Sequence, residues 1–442
     1  MLRGTVDRVR FRGASLEGNA LGDPAERELI VYLPPSYDRD VQSSALAPDR
    51  VRRFPVVMVL AGFAATNSSL LSFKPWEPNL LERYERLLEQ GCGEAILVLP
   101  DCFTQLGGSQ YLDSPAQGSY QRYLADDIIP WIDKHYCTLP RRGARAIVGK
   151  SSGGFGALRM GMDRPECFAV IGSHAGDCAF ELSIRPRFAE AASVYERHGG
   201  AARFLQHLFA QSTAAESRSA AAETKAAAPA RTRPGPAGQA EFHALELLAL
   251  AHAYAPRVEP SASATLHSRD STHEITSNTE QVASGRHAVS NAVRVEARPE
   301  AREPSVEARP EAREPSVEAR RVAREPRVEQ RPQVREPRSE TSQLAGELPF
   351  DAYTAQIVPE KWARWLAHDP LVRSLDGLKE ARLVFLDAGK SDEYGLQFGA
   401  RSLAKRCVDA GVAVEHEEFD GGHMGTAYRY DVSLPKLIAA LS

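Results

Sequence analysis

Residues Ala146 to Leu158 read Ala-Ile-Val-Gly-Lys-Ser-Ser-Gly-Gly-Phe-Gly-Ala-Leu, a short apolar run of strand type that passes through glycines into a helix, with Ser151 at the apex. Gly149-Lys150-Ser151-Ser152-Gly153 fits the G-x-S-x-G pattern. A serine presented in this way stands clear of the backbone on a sharp, strained turn, and side chains two residues before or after it would strike the neighbouring strand and helix. Glycine avoids both clashes. An ordinary glycine-rich turn that packs closely and binds nothing would carry the same letters. The rest of the chain has to decide between them, by supplying neighbouring strands and chemical partners for the serine.

The strands are legible on both sides. Thr5 to Arg12 and Glu28 to Leu33 alternate like half-buried strands, and Pro34-Pro35-Ser36-Tyr37-Asp38 ends the second with turn chemistry, an antiparallel opening to a sheet. Phe54-Pro55-Val56-Val57-Met58-Val59-Leu60 and Ala95-Ile96-Leu97-Val98-Leu99 are continuous apolar runs, as in strands covered on both faces of a parallel sheet. Leu80 to Gln90 has helical periodicity between them. Tyr120 to His135 is helical with Pro130 as a kink, and Phe168 to Ser173 is a further strand beyond the elbow helix. Such alternation predicts an α/β fold with a mostly parallel central sheet flanked by helices.

From Glu181 the rhythm changes. Arg187 to Ala210 and Ala240 to Tyr254 read as helices, separated by an Ala/Pro/Gly-rich excursion from Gln211 to Gly238. Between Pro260 and Leu344 there is no Phe, Tyr or Trp. Val295 to Ser305 recurs unchanged at Val306 to Ser316, then with drift at Val317 to Arg327 and Val328 to Arg338, a repeat of eleven residues. An eleven-residue period can mark a right-handed coiled coil. Here the prolines in every copy break a helix and one recurring valine offers no apolar stripe, so a disordered segment is expected. A partner-binding tether is the sharper alternative. Strand and helix patterns resume with the helix Pro359 to Pro370, the buried strand Ala381 to Asp387, a helix from Leu396 to Ala410, the strand Val412 to Phe419 and a last helix after Leu434. The expected organisation is residues 1–180 and 344–442 as two halves of one α/β domain, 181–258 as a helical cap-like insertion and 259–343 as a disordered low-complexity segment.

The chain of 442 residues has a formal net charge of -4, so no electrostatic case exists for a nucleic-acid partner. No apolar run approaches the length of a membrane span, and the N-terminus lacks the apolar core of an export signal; a cytoplasmic protein without a membrane partner is expected. The six cysteines include no CxxC pair, which suits reduced thiols rather than a zinc site, and no metal or other cofactor is expected. Oligomeric state is not legible.

A serine hydroxyl is a weak nucleophile at neutral pH and needs a histidine base oriented by a carboxylate. After the strand ending at Asp387 comes Ala388-Gly389-Lys390-Ser391-Asp392-Glu393-Tyr394, and after the strand ending at Phe419 comes Asp420-Gly421-Gly422-His423-Met424. Asp392 is the expected acid, with Asp387 and Glu393 as alternatives, and His423 the expected base. His416 lies within a strand and suits packing or surface. His174 could line the pocket or be a hydrogen-bonded structural histidine, and Lys150 could orient an anionic substrate or be solvated. A tetrahedral oxyanion needs backbone donors, for which Ser152 N–H and the Phe63 N–H after Gly62 are expected.

Together, Gly149 to Ala157, the Val-Tyr-Leu-Pro-Pro of Val31 to Pro35, Asp387 to Glu393 and Gly421 to His423 resemble the esterase family that includes enterochelin esterase-like proteins, S-formylglutathione hydrolases and mycolyltransferases. The resemblance spans residues 28–180 and 345–435. It implies an α/β-hydrolase fold, with nucleophile, acid and base falling on Ser151, Asp392 and His423 and an oxyanion donor on Phe63. The chain departs from many esterases in lacking a His-Gly run after its third strand, and the repeat has no counterpart expected in the family. The expected activity is hydrolysis of a small-molecule carboxylic ester or thioester through an acyl-enzyme. Acyl transfer by the same groups, or a catalytically silent scaffold, are the alternatives.

Overall fold

The computed structural model describes residues 2–38, 52–210, 238–257 and 346–441. The eleven-residue repeat, the segment expected to be disordered and nearly all of the Gln211 to Gly238 excursion lie outside the described residues. Eight strands form the main sheet: β1 (Thr5–Arg12), β2 (Glu26–Leu33), β3 (Val56–Leu60), β4 (Ile96–Pro100), β5 (Arg145–Lys150), β6 (Val170–His174), β7 (Leu383–Gly389) and β8 (Val414–Phe419). Their order is β1-β2-β4-β3-β5-β6-β7-β8. β2 runs antiparallel to β1 and β4, and every pairing from β4 to β8 is parallel. This is the α/β-hydrolase arrangement. The chain leaves β3 to β4 on one side and returns to β5 on the other, so the strand order reverses at β3, where an open α/β sheet leaves a crevice beyond its carboxyl ends.

Alternation along each buried strand builds two cores. Val57 and Val59 join Leu81 and Tyr84 of α1 (Leu80–Glu89) and Leu434 and Leu437 of the last helix, Tyr430–Ala439. Val56, Met58 and Leu60 face the other way, against Leu124, Ile128 and Ile132 and against Leu158 and Met160 of α2 (Ser152–Asp163). All five β3 residues are therefore buried, which is why the strand reads as an unbroken apolar run.

One sequence expectation needs correction. The helix expected from Arg187 to Ala210 is two, Phe188–Arg197 and 201–210, because Gly199 and Gly200 take φ of +74° and +120° and end the first. Pro130 lies within the unbroken helical run from Tyr120 to His135, directly after its wide π-type stretch Tyr123–Ile128, where the turns depart from regular α-helix to accommodate a residue with no N–H. Phe188–Arg197, 201–210, Gln239–Tyr254 and Pro359–Leu366 share a separate apolar core. Phe188 stacks on Phe350 at 4.6 Å and meets Trp362 edge-on at 5.3 Å within it. Among the described residues no helix is long and apolar enough to cross a membrane.

Candidate active site

The turn from β5 into α2 holds Ser151 at φ 57°, ψ −124°, a conformation that costs a non-glycine residue on the order of 1–3 kcal/mol and persists only where the surroundings enforce it. The enforcement is visible at the glycines. A Cβ on Gly149 would sit 2.5 Å from the Gly153 carbonyl carbon, and one on Gly153 would enter the Leu60 carbonyl oxygen and lie 2.6 Å from that of Ala61. β5, α2 and the end of β3 thus close on each other with no room for a side chain. Ser151 N–H donates to the His174 carbonyl at 2.9 Å, which ties the apex to β6.

Two loops from the far half of the chain meet this turn. The His423 ring donates from Nδ1 to Asp392 Oδ2 at 2.8 Å, and its Nε2 lies 3.1 Å from Ser151 Oγ. Asp392 is an acceptor only, so Nδ1 carries the proton and Nε2 is left to accept from the serine. His423 and Asp392 are both buried, and Tyr394 stands edge-on to the imidazole at 4.9 Å. The Tyr394 N–H caps the other Asp392 oxygen at 3.0 Å. The loops are stitched together as well: Ser391 N–H donates to the Gly421 carbonyl at 3.0 Å, and a Cβ on Gly389 would lie 2.7 Å from that of Gly422.

The expected oxyanion donors lie beside the serine. Ser152 is the first residue of α2, so its N–H has no carbonyl one turn earlier to bond. The Gly62–Phe63 turn packs on the elbow, a Cβ on Gly62 falling 3.6 Å from Ser151 Cβ. Among the described residues Phe63 N–H has no hydrogen-bond partner, whereas the next amide, Ala64, donates to Gly107 at 2.8 Å.

Ser151 and His423 open onto a cavity of about 730 Å³ whose apolar lining includes Leu60, Phe63, Leu70, Phe242 and Met424. A second hollow, of about 470 Å³, lies at the β1–β2 edge. Its lining has no serine, cysteine or histidine, and its charges pair with each other as Arg8–Glu28 and Arg10–Glu26.

A protein-family model described as "Putative esterase" matches residues 20–234. The match spans just under half of the chain and identifies it as a carboxylic ester hydrolase. The esterase is similar in structure to a ferulic acid esterase (14% identity, 100% of each chain covered, TM-score 0.47). It is likewise similar to a fluorophosphonate-binding serine hydrolase of Staphylococcus aureus (11%, 99% of each chain, TM-score 0.46) and to an S-formylglutathione hydrolase of Agrobacterium tumefaciens (11%, 100% of this chain and 97% of that one, TM-score 0.46). No curated protein matches it in sequence.

Several polar groups of the esterase's cavity were not legible in the sequence. Asp177, Arg187, Glu246 and Tyr394 all line it, beside Glu393. Burial, reinforced by Glu246, pushes the Asp177 carboxyl up to about 6, against a bond from Gln110 Nε2 at 3.0 Å. Arg187 pairs with Glu246 and lies 5.4 Å over the Tyr394 ring. The signal available was position: Asp177 follows β6 on the sheet edge that carries ligands in open α/β folds. Lys150 also lines the cavity, and burial pulls its ammonium below the ordinary lysine value while Asp392 opposes the shift.

The remaining sequence candidates go elsewhere. His174, the last residue of β6, is buried and absent from the cavity lining; it holds Asp387, which is buried in turn. Glu393, an alternative acid, accepts the backbone N–H of His423 rather than its ring. His416 lies in β8. Of the helices expected from the sequence, Pro359–Leu366 buries Trp362 and Trp365 in the helical layer, whereas Gln239, Phe242 and Glu246 of Gln239–Tyr254 reach the cavity.

Proposed function

We propose that the esterase works through an acyl-enzyme on Ser151, with His423 as base and Asp392 as its orienting acid. The observation that carries this reading is the unbroken Ser151–His423–Asp392 hydrogen-bond chain at the wall of a cavity large enough for a small ester. The substrate carbonyl carbon meets Ser151 Oγ as the serine proton passes to His423 Nε2. The new imidazolium is held by the Asp392 carboxylate, and the oxyanion is met by the Ser152 and Phe63 N–H groups. His423 then gives its proton to the departing alcohol or thiol, leaving the acyl group on Ser151. Water enters, loses a proton to the same nitrogen and releases the acid, restoring the serine hydroxyl.

In this reading the helices Phe188–Arg197, 201–210 and Gln239–Tyr254 form a cap, and Phe242, packed edge-on against Phe63 at 5.4 Å, closes the cavity over the acyl group. The substrate is a small carboxylic ester or thioester. Labelling with a fluorophosphonate probe tests the assignment. Wild-type protein is expected to label at one serine, Ser151→Ala to lose all labelling, and His423→Ala to label at least a hundredfold more slowly, since a base contributes about 10²–10⁴. Labelling that survives Ser151→Ala would sink the assignment. A panel of p-nitrophenyl esters of graded chain length, run beside S-formylglutathione, separates an oxygen ester from a thioester preference.

A further inference from the structure

A second serine, histidine and aspartate meet in this molecule. His174, the last residue of β6, donates from Nδ1 to Asp387 Oδ1 at 2.7 Å, and its Nε2 lies 2.9 Å from Ser433 Oγ. The contacts repeat those around His423, but access does not: His174 is 3% exposed, Asp387 1% and Ser433 0%. A hydroxyl that no substrate can reach does not act as a nucleophile, so this set serves something other than acyl transfer.

Its connections indicate what. The His174 carbonyl receives Ser151 N–H at 2.9 Å, and the Asp387 carbonyl receives Ala175 N–H at 2.7 Å. Asp387 lies on the strand that leads directly to Asp392. Its second oxygen takes Arg429 Nε at 2.8 Å, and Arg429 extends to Glu417 on β8 at 2.6 Å. Arg429 and Ser433 both follow the His423 loop, in the turn and helix that close the chain. The His174 ring is wedged edge-on against Tyr430 at 4.9 Å and Phe385 at 5.9 Å. One imidazole therefore stands at the junction of the three segments that deliver Ser151, Asp392 and His423.

We propose that His174 is a positioning residue: bridging Asp387 and Ser433 beneath the sheet edge, it fixes the register in which those three segments meet. The proposal rests on reading Ser151, Asp392 and His423 as the working triad. Every member of the buried set has a partner, and a fully satisfied polar network inside a protein holds its members rigidly. Removing the ring leaves a buried carboxylate with one partner fewer and a buried hydroxyl with none. The adjustment that relieves this moves β6, β7 or the last helix relative to one another. Reacting groups displaced by about 1 Å can lose on the order of a hundredfold in rate.

The test uses the full chain and three readouts taken well below the melting temperature: kcat and KM on p-nitrophenyl acetate, the rate of fluorophosphonate labelling, and the melting temperature. His174→Ala is expected to lower kcat and the labelling rate by about tenfold or more with KM within about twofold. His174→Asn, whose amide can still donate to Asp387, recovers part of the loss, and Ser433→Ala gives a smaller loss in the same direction. A lowered melting temperature with kcat and labelling rate unchanged would overturn the proposal, leaving His174 a stabilising residue only. If His174→Ala does not fold, His174→Asn and Ser433→Ala decide alone, and wild-type rates in both overturn it. Wild-type labelling that Ser151→Ala abolishes establishes the triad independently. Labelling that survives Ser151→Ala, or none in the wild type, removes that foundation and the proposal with it.

Discussion

Glu393 accepts the backbone N–H of His423 at 2.6 Å, alongside the bond that the neighbouring Asp392 receives from the same residue's ring. Adjacent carboxylates thus grip one histidine by its main chain and by its imidazole. Gly422 makes room for the grip, since a Cβ there would lie 2.8 Å from Glu393 Cδ. A hydrogen bond to a charged group contributes about 1.5–3 kcal/mol. Glu393→Ala is therefore expected to lower kcat by about tenfold or more as the loop loosens, whereas Glu393→Gln, which keeps an acceptor, stays near wild type. Gly422→Ala should imitate the alanine variant by excluding the carboxylate. Steady-state kinetics with circular dichroism as a folding control decide it, and wild-type kcat in Glu393→Ala would show that the grip is redundant.

How far the site could be read from the letters depended on the range of the interaction. The Ser151 turn is written locally, because strain and steric closeness act within a few residues and demand Gly149 and Gly153. Buried strands are equally local, since burial on both faces leaves unbroken apolar runs such as Val56 to Leu60. The approach of Ser151 to His423 was inferred only through strand order. Arg187 and Glu246 left no such trace, and Asp177 only its position after β6: their roles arise where β6, Phe188–Arg197 and Gln239–Tyr254 converge, and nothing in a single segment announces that. His174 shows the same limit. A histidine ending a strand beside the nucleophile reads equally as a pocket residue or a buried one, and the partners that decide, Asp387 and Ser433, lie in the distant half of the chain.

Gly153→Ala should be among the most damaging single-methyl additions in the esterase. Its Cβ would enter the Leu60 carbonyl oxygen and approach that of Ala61, both backbone atoms that no rotamer change can move. Overpacking of this kind costs about 1–3 kcal/mol, and more where backbone must shift. Urea denaturation is expected to show a fall in stability of at least that size, with activity lost beyond the loss of folded protein because α2 and the Ser152 N–H retreat together. Unchanged stability would mean that β3 yields freely at its end.

Asp177 makes stability depend on pH in a stated direction. Burial and the nearby Glu246 carboxylate raise its pKa from 3.8 to about 6 in the folded protein. The folded state then holds a proton that the unfolded chain gives up, so this contribution is complete below pH 4 and is lost as pH rises through about 6. A shift of that size corresponds to about 3 kcal/mol at most. Asp177→Asn, which cannot ionise, is expected to gain stability relative to wild type between pH 4 and pH 7 and to hold the gain above that. Denaturation curves at the two ends of the window measure it, and a difference independent of pH would show that Asp177 ionises freely.

The flanks of the long insertion are already joined. Pro256 and Gly346 form an antiparallel bridge, Glu347 N–H donates to the Ala255 carbonyl at 2.9 Å, and Arg257 pairs with Glu347 at 3.4 Å. Deleting Pro260 to Ser342 leaves a short connection across that bridge, ample for two backbones already in hydrogen-bonding contact, at about 3.3 Å of reach per residue. A shorter loop also loses less entropy on closure, a gain on the order of 2 kcal/mol for so large a reduction. The shortened protein is expected to remain soluble, to melt at or slightly above the wild-type temperature, and to hydrolyse p-nitrophenyl acetate with kcat within about twofold of the full chain. Insoluble protein would mean that the helical layer of Phe188, Phe350 and Trp362 needs the deleted residues to fold. Normal melting with lost activity would instead place their contribution at the cavity.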